Sequence, residues 1–140
     1  MSYVFDSSFV AALIIPDEKN REAIRIQKLL TETDIINTPQ LLWYEITNVF
    51  KNLLRRKRYS PEEIVNFFPL ISALRLTTDF ETGIDYSKKI FELCNDHNLS
   101  SYDAVYLELA YRKKAILCTL DNNLNIAAKK CGVKTYMEKL

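Results

Sequence analysis

Four acids stand where chemistry is possible. Asp6 directly follows the apolar run Tyr3–Phe5 and precedes Ser7, Ser8 and the helical run Phe9–Ile15. Asp121 follows the apolar segment Ala115–Leu120 and also precedes a helical stretch, and Asp103 lies three residues after Ser100 at the start of another. Each of these three has an ordinary use, because an Asp at a helix start accepts backbone N–H bonds and suits the helix dipole. Glu45 is different. In LLWYEITNVF its neighbours from Leu41 to Ile46 are all apolar or aromatic, and on a helix it shares a face with Leu41, Leu42, Asn48 and Val49. A carboxylate on a largely apolar face must neutralise, pair or bind a cation. Four carboxylates gathered in one place repel one another unless a cation lies among them. Hard oxygen donors select Mg²⁺, with Mn²⁺ as a substitute, over Zn²⁺. Such ions keep waters and bind phosphates, so phosphoryl chemistry is the natural use.

Other chemistries are excluded by residue type. His97 is the single histidine and falls in a polar turn, so a histidine-pair ribonuclease cannot be built and a Ser-His-Asp hydrolase is disfavoured. The two glycines, Gly83 and Gly132, leave no phosphate-cradling loop. Cys94, Cys118 and Cys131 form no CxxC pair, and read as buried free thiols of a reducing compartment.

The elements that must position the acids alternate. Strands are expected at Tyr3–Phe5, Asp34–Thr38, Leu74–Thr77, Ala115–Leu120 and Val133–Tyr136. Helices are expected over 7–15, the segment after Pro16, 40–57, from Ser60-Pro61 onward, 81–96, 101–113 and 122–130, the last closed by Gly132. Strands separated by helices of this length make parallel βαβ units. The expected fold is therefore α/β, a three-layer α/β/α sandwich around a central, mostly parallel sheet of about four to five strands. In such a sheet the site lies outside the carboxyl ends of the strands, where Asp6 and Asp121 fall.

The chain has 140 residues, 48% of them hydrophobic, with 19 Lys+Arg against 18 Asp+Glu. That fits one domain over residues 1–140 and excludes a disordered or acidic tail. The first residues carry no basic leader, and the apolar run Phe9–Ile15 is far shorter than the about 20 residues a membrane span needs. A cytoplasmic location is expected. With a net charge of only +1, an anionic partner must be met by a local patch. One exists: no acid occurs from Ile46 to Pro61, while Lys51, Arg55, Arg56, Lys57 and Arg58 are basic. This stretch reads either as a solvated helix C-terminus or as a phosphate-contacting rim. Tyr59 and Tyr44 are possible base-stacking residues, with core packing the expected job of Tyr44.

The sequence resembles the PIN-domain ribonucleases, and among them the VapC-type toxins of bacterial toxin–antitoxin pairs. The resemblance rests on four motifs in order: YVFDSSF, WYEITNVF, LSSYDAVYLELA and CTLDNNLNIAAKKCGV. It implies that Asp6, Glu45, Asp103 and Asp121 form an acidic metal cluster, that Asn48 orients Glu45, and that Ser7 and Thr119 are supporting hydroxyls. Asn125 stands one turn after Asp121, where the family often carries a further acid. The resemblance also implies an RNA substrate, a homodimer, and a VapB-type antitoxin whose C-terminal segment blocks the site. The expected reaction is in-line attack of water on an RNA phosphodiester, leaving a 5′-phosphate. Two other classes remain open: an RNA-binding module that keeps the fold without catalysis, and a phosphoacceptor receiver-like domain.

Overall fold

A computed structural model describes residues 1–140. Four strands, β1 (Ser2–Phe5), β2 (Ile35–Pro39), β3 (Leu76–Asp79) and β4 (Ile116–Cys118), form one sheet in the order β3-β2-β1-β4, and every pairing is parallel. Eight α-helices connect them: α1 (Ser7–Ile14), α2 (Arg21–Leu29), α3 (Leu41–Arg55), α4 (Pro61–Val65), α5 (Phe68–Ala73), α6 (Ile84–His97), α7 (Ser101–Lys113) and α8 (Asn122–Lys130). The expected α/β/α sandwich is the fold.

Strand alternation explains the three layers. Side chains on a strand point alternately to opposite faces. In β1, Tyr3 and Phe5 enter one core while Val4 enters the other; in β4, Ile116 and Cys118 face the first and Leu117 the second. The first core is closed by Phe9 and Ile15, by Ile26 of α2, and by Leu42, Ile46 and Phe50 of α3. The second is closed by Ile90 of α6, Tyr106 and Leu107 of α7, and Leu124 and Ala128 of α8. Both strands are buried on their two faces, which requires this continuous apolar composition.

The fifth expected strand, Val133–Tyr136, is reduced to one bridge, Leu117 with Thr135, with the Leu117 N–H donating to the Lys134 carbonyl. Gly132, at φ +73°, closes α8 in the left-handed region glycine favours, and a 3₁₀ turn takes up Tyr136–Lys139. Too few residues are left between them to extend a ladder. The expected helix after Ser60 is two short helices, α4 and α5, the first begun by a Ser60/Glu63 capping box. The thiols are free as expected, but Cys118 alone is fully buried; Cys94 and Cys131 are half-buried. No helix is long and apolar enough to cross a membrane.

Candidate active site

The carboxyl ends of two neighbouring strands, the central β1 and the outer β4, carry the site. β1 and β4 are neighbours, so their exits leave the sheet side by side, and the Asp6 N–H donates to the Cys118 carbonyl at 3.2 Å. Asp6 is both the N-cap of α1 and a buried acid. Its Oδ1 accepts from the Phe9 N–H at 2.9 Å and the Ser8 hydroxyl at 2.7 Å, and its Oδ2 accepts from the Thr119 hydroxyl. Those donors are themselves fixed. Ser8 Oγ accepts the Leu120 N–H at 3.0 Å, Thr119 Oγ1 accepts the Asp121 N–H at 3.1 Å, and Asn125 Nδ2 donates to the Thr119 carbonyl at 3.0 Å. The turn after β4 is thus knitted to the turn after β1 around one carboxylate.

The other acids come from separate segments. Asp121 caps α8 through the Leu124 N–H at 2.9 Å, and Ser100 caps α7, placing Asp103 in that helix's first turn. Glu45 lies one turn into α3, and its Oε1 accepts the Tyr106 hydroxyl at 2.5 Å. The capping uses of Asp6 and Asp121 coexist with their place at one edge because α1 and α8 begin directly at strand ends, whereas the start of α7, with Asp103, follows α6.

The four acids influence one another in a chain. Burial, opposed by its three donors and reinforced by Glu45, pushes the Asp6 carboxyl up to about 6. Burial also raises Glu45, with Asp103 adding to the shift while the Tyr106 and Ser7 hydroxyls oppose it. Asp103 is raised by burial and by Asp121. No lysine, arginine or histidine contributes to any of these shifts. The edge is therefore a run of acids without a cation of its own.

That donor set, all oxygen and unneutralised, fits a hard divalent cation. Asn125, four residues after Asp121, is buried, and its Oδ1 has no hydrogen-bond donor. As the side chains stand, no three His, Cys, Asp or Glu groups are close enough to share one ion.

Two residues, Asn48 and Tyr44, differ from expectation. Asn48 is exposed and makes no hydrogen bond to Glu45; Tyr106 makes it instead. The serine hydroxyl bonded to Asp6 is that of Ser8, while Ser7 acts toward Glu45. Tyr44 is 75% exposed beside Glu45 rather than packed in the core, whereas Tyr59 packs edge-on against Phe67. Thr119 and Asn125 do contact the site. Sequence reading missed Ser8 and Tyr106. The signals available were the second serine after Asp6 and the spacing of Tyr106, one helical turn after Asp103.

The basic residues lie on and beyond the far part of α3. Lys51 is six positions from Glu45, about 9 Å along the axis, and Arg55 ten positions, about 15 Å. All five are exposed, and Arg58 is paired with Asp17 at 2.7 Å.

The chain is thus a parallel α/β/α sandwich with acids at the exits of two neighbouring strands, β1 and β4. The PIN domain model matches residues 3–130, and the chain belongs to the PIN domain family. The match disposes of the receiver-like alternative. The chain is 27% identical over 124 residues to Ribonuclease VapC3 of Pyrobaculum aerophilum, covering 89% of this chain and 92% of that one. Among solved structures it superposes on VapBC2 of Rickettsia felis bound to a promoter DNA fragment (TM-score 0.68, 14% identity, 96% of each chain). It also superposes on VapC20 of Mycobacterium tuberculosis, a sarcin-ricin loop cleaving toxin (TM-score 0.63, 17% identity, 89% of this chain and 94% of that one).

Proposed function

We propose that this protein is a Mg²⁺-dependent endoribonuclease, with Mn²⁺ able to substitute, acting as the toxin of a toxin–antitoxin pair. The observation that carries the reading is the acidic edge itself: Asp6, Glu45, Asp103 and Asp121, drawn from four segments, the first three raised by burial and each by the next acid along the edge, with no cation of the chain among them. The relative named a ribonuclease and the sarcin-ricin loop cleaving toxin support RNA as the substrate.

In this reading Asp6 is the fixed anchor, its position set by three donors, and Glu45, Asp103 and Asp121 complete the metal-holding set. When bound, the ion supplies Lewis-acid activation of water and neutralises charge developing on the phosphoryl group. The N-termini of α1, α7 and α8 add partial positive charge where a scissile phosphate would lie. Lys51, Arg55, Arg56 and Lys57, exposed and without ion pairs, contact flanking phosphates, and Tyr44 offers an exposed ring for an unpaired base.

Solved toxin–antitoxin complexes share the fold, including one from Klebsiella pneumoniae (TM-score 0.57, 17% identity, 85% of this chain and 86% of that one). They support a cognate VapB-type antitoxin as partner. Ile84 and Phe91, exposed two turns apart on α6, are apolar surface of the kind a second copy in a homodimer would cover.

Sequencing of product ends tests the reaction class. RNA cut by the purified protein is expected to carry 5′-phosphates and 3′-hydroxyls. Products ending in 2′,3′-cyclic phosphate would mean that the RNA 2′-hydroxyl, not water, is the nucleophile, and the proposed chemistry would be wrong.

A further inference from the structure

We infer that Tyr106 is the positioning residue that seats Glu45 for metal capture, an inference that rests on the reading of the acidic edge as a divalent-metal centre. Tyr106 lies three residues after Asp103 on α7, so one helix supplies a carboxylate and, a turn later, the hydroxyl that holds the carboxylate of another helix. Its ring is 2% exposed, packed in the core with Val4, Leu107 and Leu124. Phenylalanine would fill that space without the need to satisfy a buried phenol. The hydroxyl does have a partner, 61 positions away in sequence: Glu45 Oε1 at 2.5 Å.

The character of that partner matters. An arginine or lysine at this point would hold Glu45 and also cancel its charge, competing with an incoming cation. A neutral phenol fixes the carboxylate and leaves the negative charge in place. Glu45 needs such a support more than Asp6 does, because its longer side chain is only half-buried; Asn48, exposed beyond it, gives none, and the Ser7 hydroxyl acts on it less strongly than Tyr106. Groups that orient ligating carboxylates typically change metal affinity or activity by 10–100-fold when removed.

The test is Tyr106→Phe, with Mg²⁺ binding read by isothermal titration calorimetry and by the rise in Tm on adding Mg²⁺. The metal-free Tm is expected to change little, while the Mg²⁺ dissociation constant rises about 10-fold. Kinetically, the Mg²⁺ concentration giving half-maximal cleavage should rise in proportion. Wild-type binding of Mg²⁺ with unchanged binding by the variant would overturn the role of Tyr106 alone. A wild-type protein that binds no Mg²⁺ would overturn the metal-centre reading and this inference with it. A general packing role is separated by repeating the substitution in a Glu45→Gln background. There Tyr106→Phe is expected to leave the remaining Mg²⁺ affinity unchanged; a further 10-fold loss in that background would mean the phenol does not act through Glu45.

Discussion

Asp6→Asn is expected to lose metal-dependent cleavage by about 10³-fold or more while making the metal-free protein more stable. The loss follows from removing the fixed carboxylate of the site, since the transition-state stabilisation a bound metal supplies is several kcal/mol and each 1.36 kcal/mol is tenfold in rate. The stability gain follows from burial. Asp6 is buried, and its carboxyl is raised from an ordinary 3.8 to about 6. For an acid raised in the folded state, the unfolded chain gives up its proton first as pH rises. The fold therefore loses stability between about pH 4 and pH 6 and stays at the lower level above. Asparagine can still accept from the Phe9 N–H and Ser8, and its amide can face the Thr119 hydroxyl. It should thus recover about 2 kcal/mol above pH 6, several degrees in Tm, and nothing below pH 4. Adding Mg²⁺ should raise the wild-type Tm and leave that of the variant unchanged. Equal melting of the two proteins at pH 8 without metal would show that Asp6 is not held at a cost.

Arg112→Met is expected to destabilise the fold by about 3 kcal/mol at neutral pH, measured by urea unfolding. The Arg112 guanidinium grips Asp79 with two bonds, at 3.0 and 2.7 Å, and Glu108 through Nε at 2.7 Å. The side chains of Asp79 and Glu108 are 13% and 7% exposed, so removing the cation strands two largely buried acids. This clamp ties the end of α7, the helix of Asp103 and Tyr106, to the edge strand β3. Arg112 holds the Asp79 carboxyl below the usual carboxylate range. A depressed acid contributes stability that is present above its unfolded pKa and is lost as pH falls through the folded one. The gap between wild type and variant should accordingly narrow below about pH 4. A gap that is absent at pH 7, or that widens in acid, would contradict the clamp.

What the sequence made legible and what it did not divide along the distance over which each interaction acts. Strand ends followed by Asp6 and Asp121 are local patterns, and in a parallel sheet they have one destination, the carboxyl edge. Glu45 stood out because its own neighbours made an unpartnered carboxylate untenable. The supports were harder to read. Tyr106 looks like part of an apolar helical stripe, and its hydroxyl acquires meaning only through a partner 61 positions away. Ser7 and Ser8 are equivalent as letters; once Asp6 caps α1, it is Ser8 that reaches both Asp6 and the Leu120 N–H. Arg112 and Asp79 are 33 positions apart, with nothing local to pair them. The last strand was misjudged for the opposite reason: Val133–Tyr136 has β-type composition, but Gly132 and the 3₁₀ turn leave it room for a single bridge.

The most direct test incubates the purified protein, free of any antitoxin, with a pool of cellular RNA, in Mg²⁺, in Mn²⁺ and in chelator, beside an Asp103→Asn control. Discrete products that require the metal and are missing from the control are the expected result. Wild-type protein that binds RNA but cuts none of it in either metal would leave a binding module with the same fold, and cleavage undiminished in Asp103→Asn or in chelator would contradict the acidic edge as the centre of the reaction.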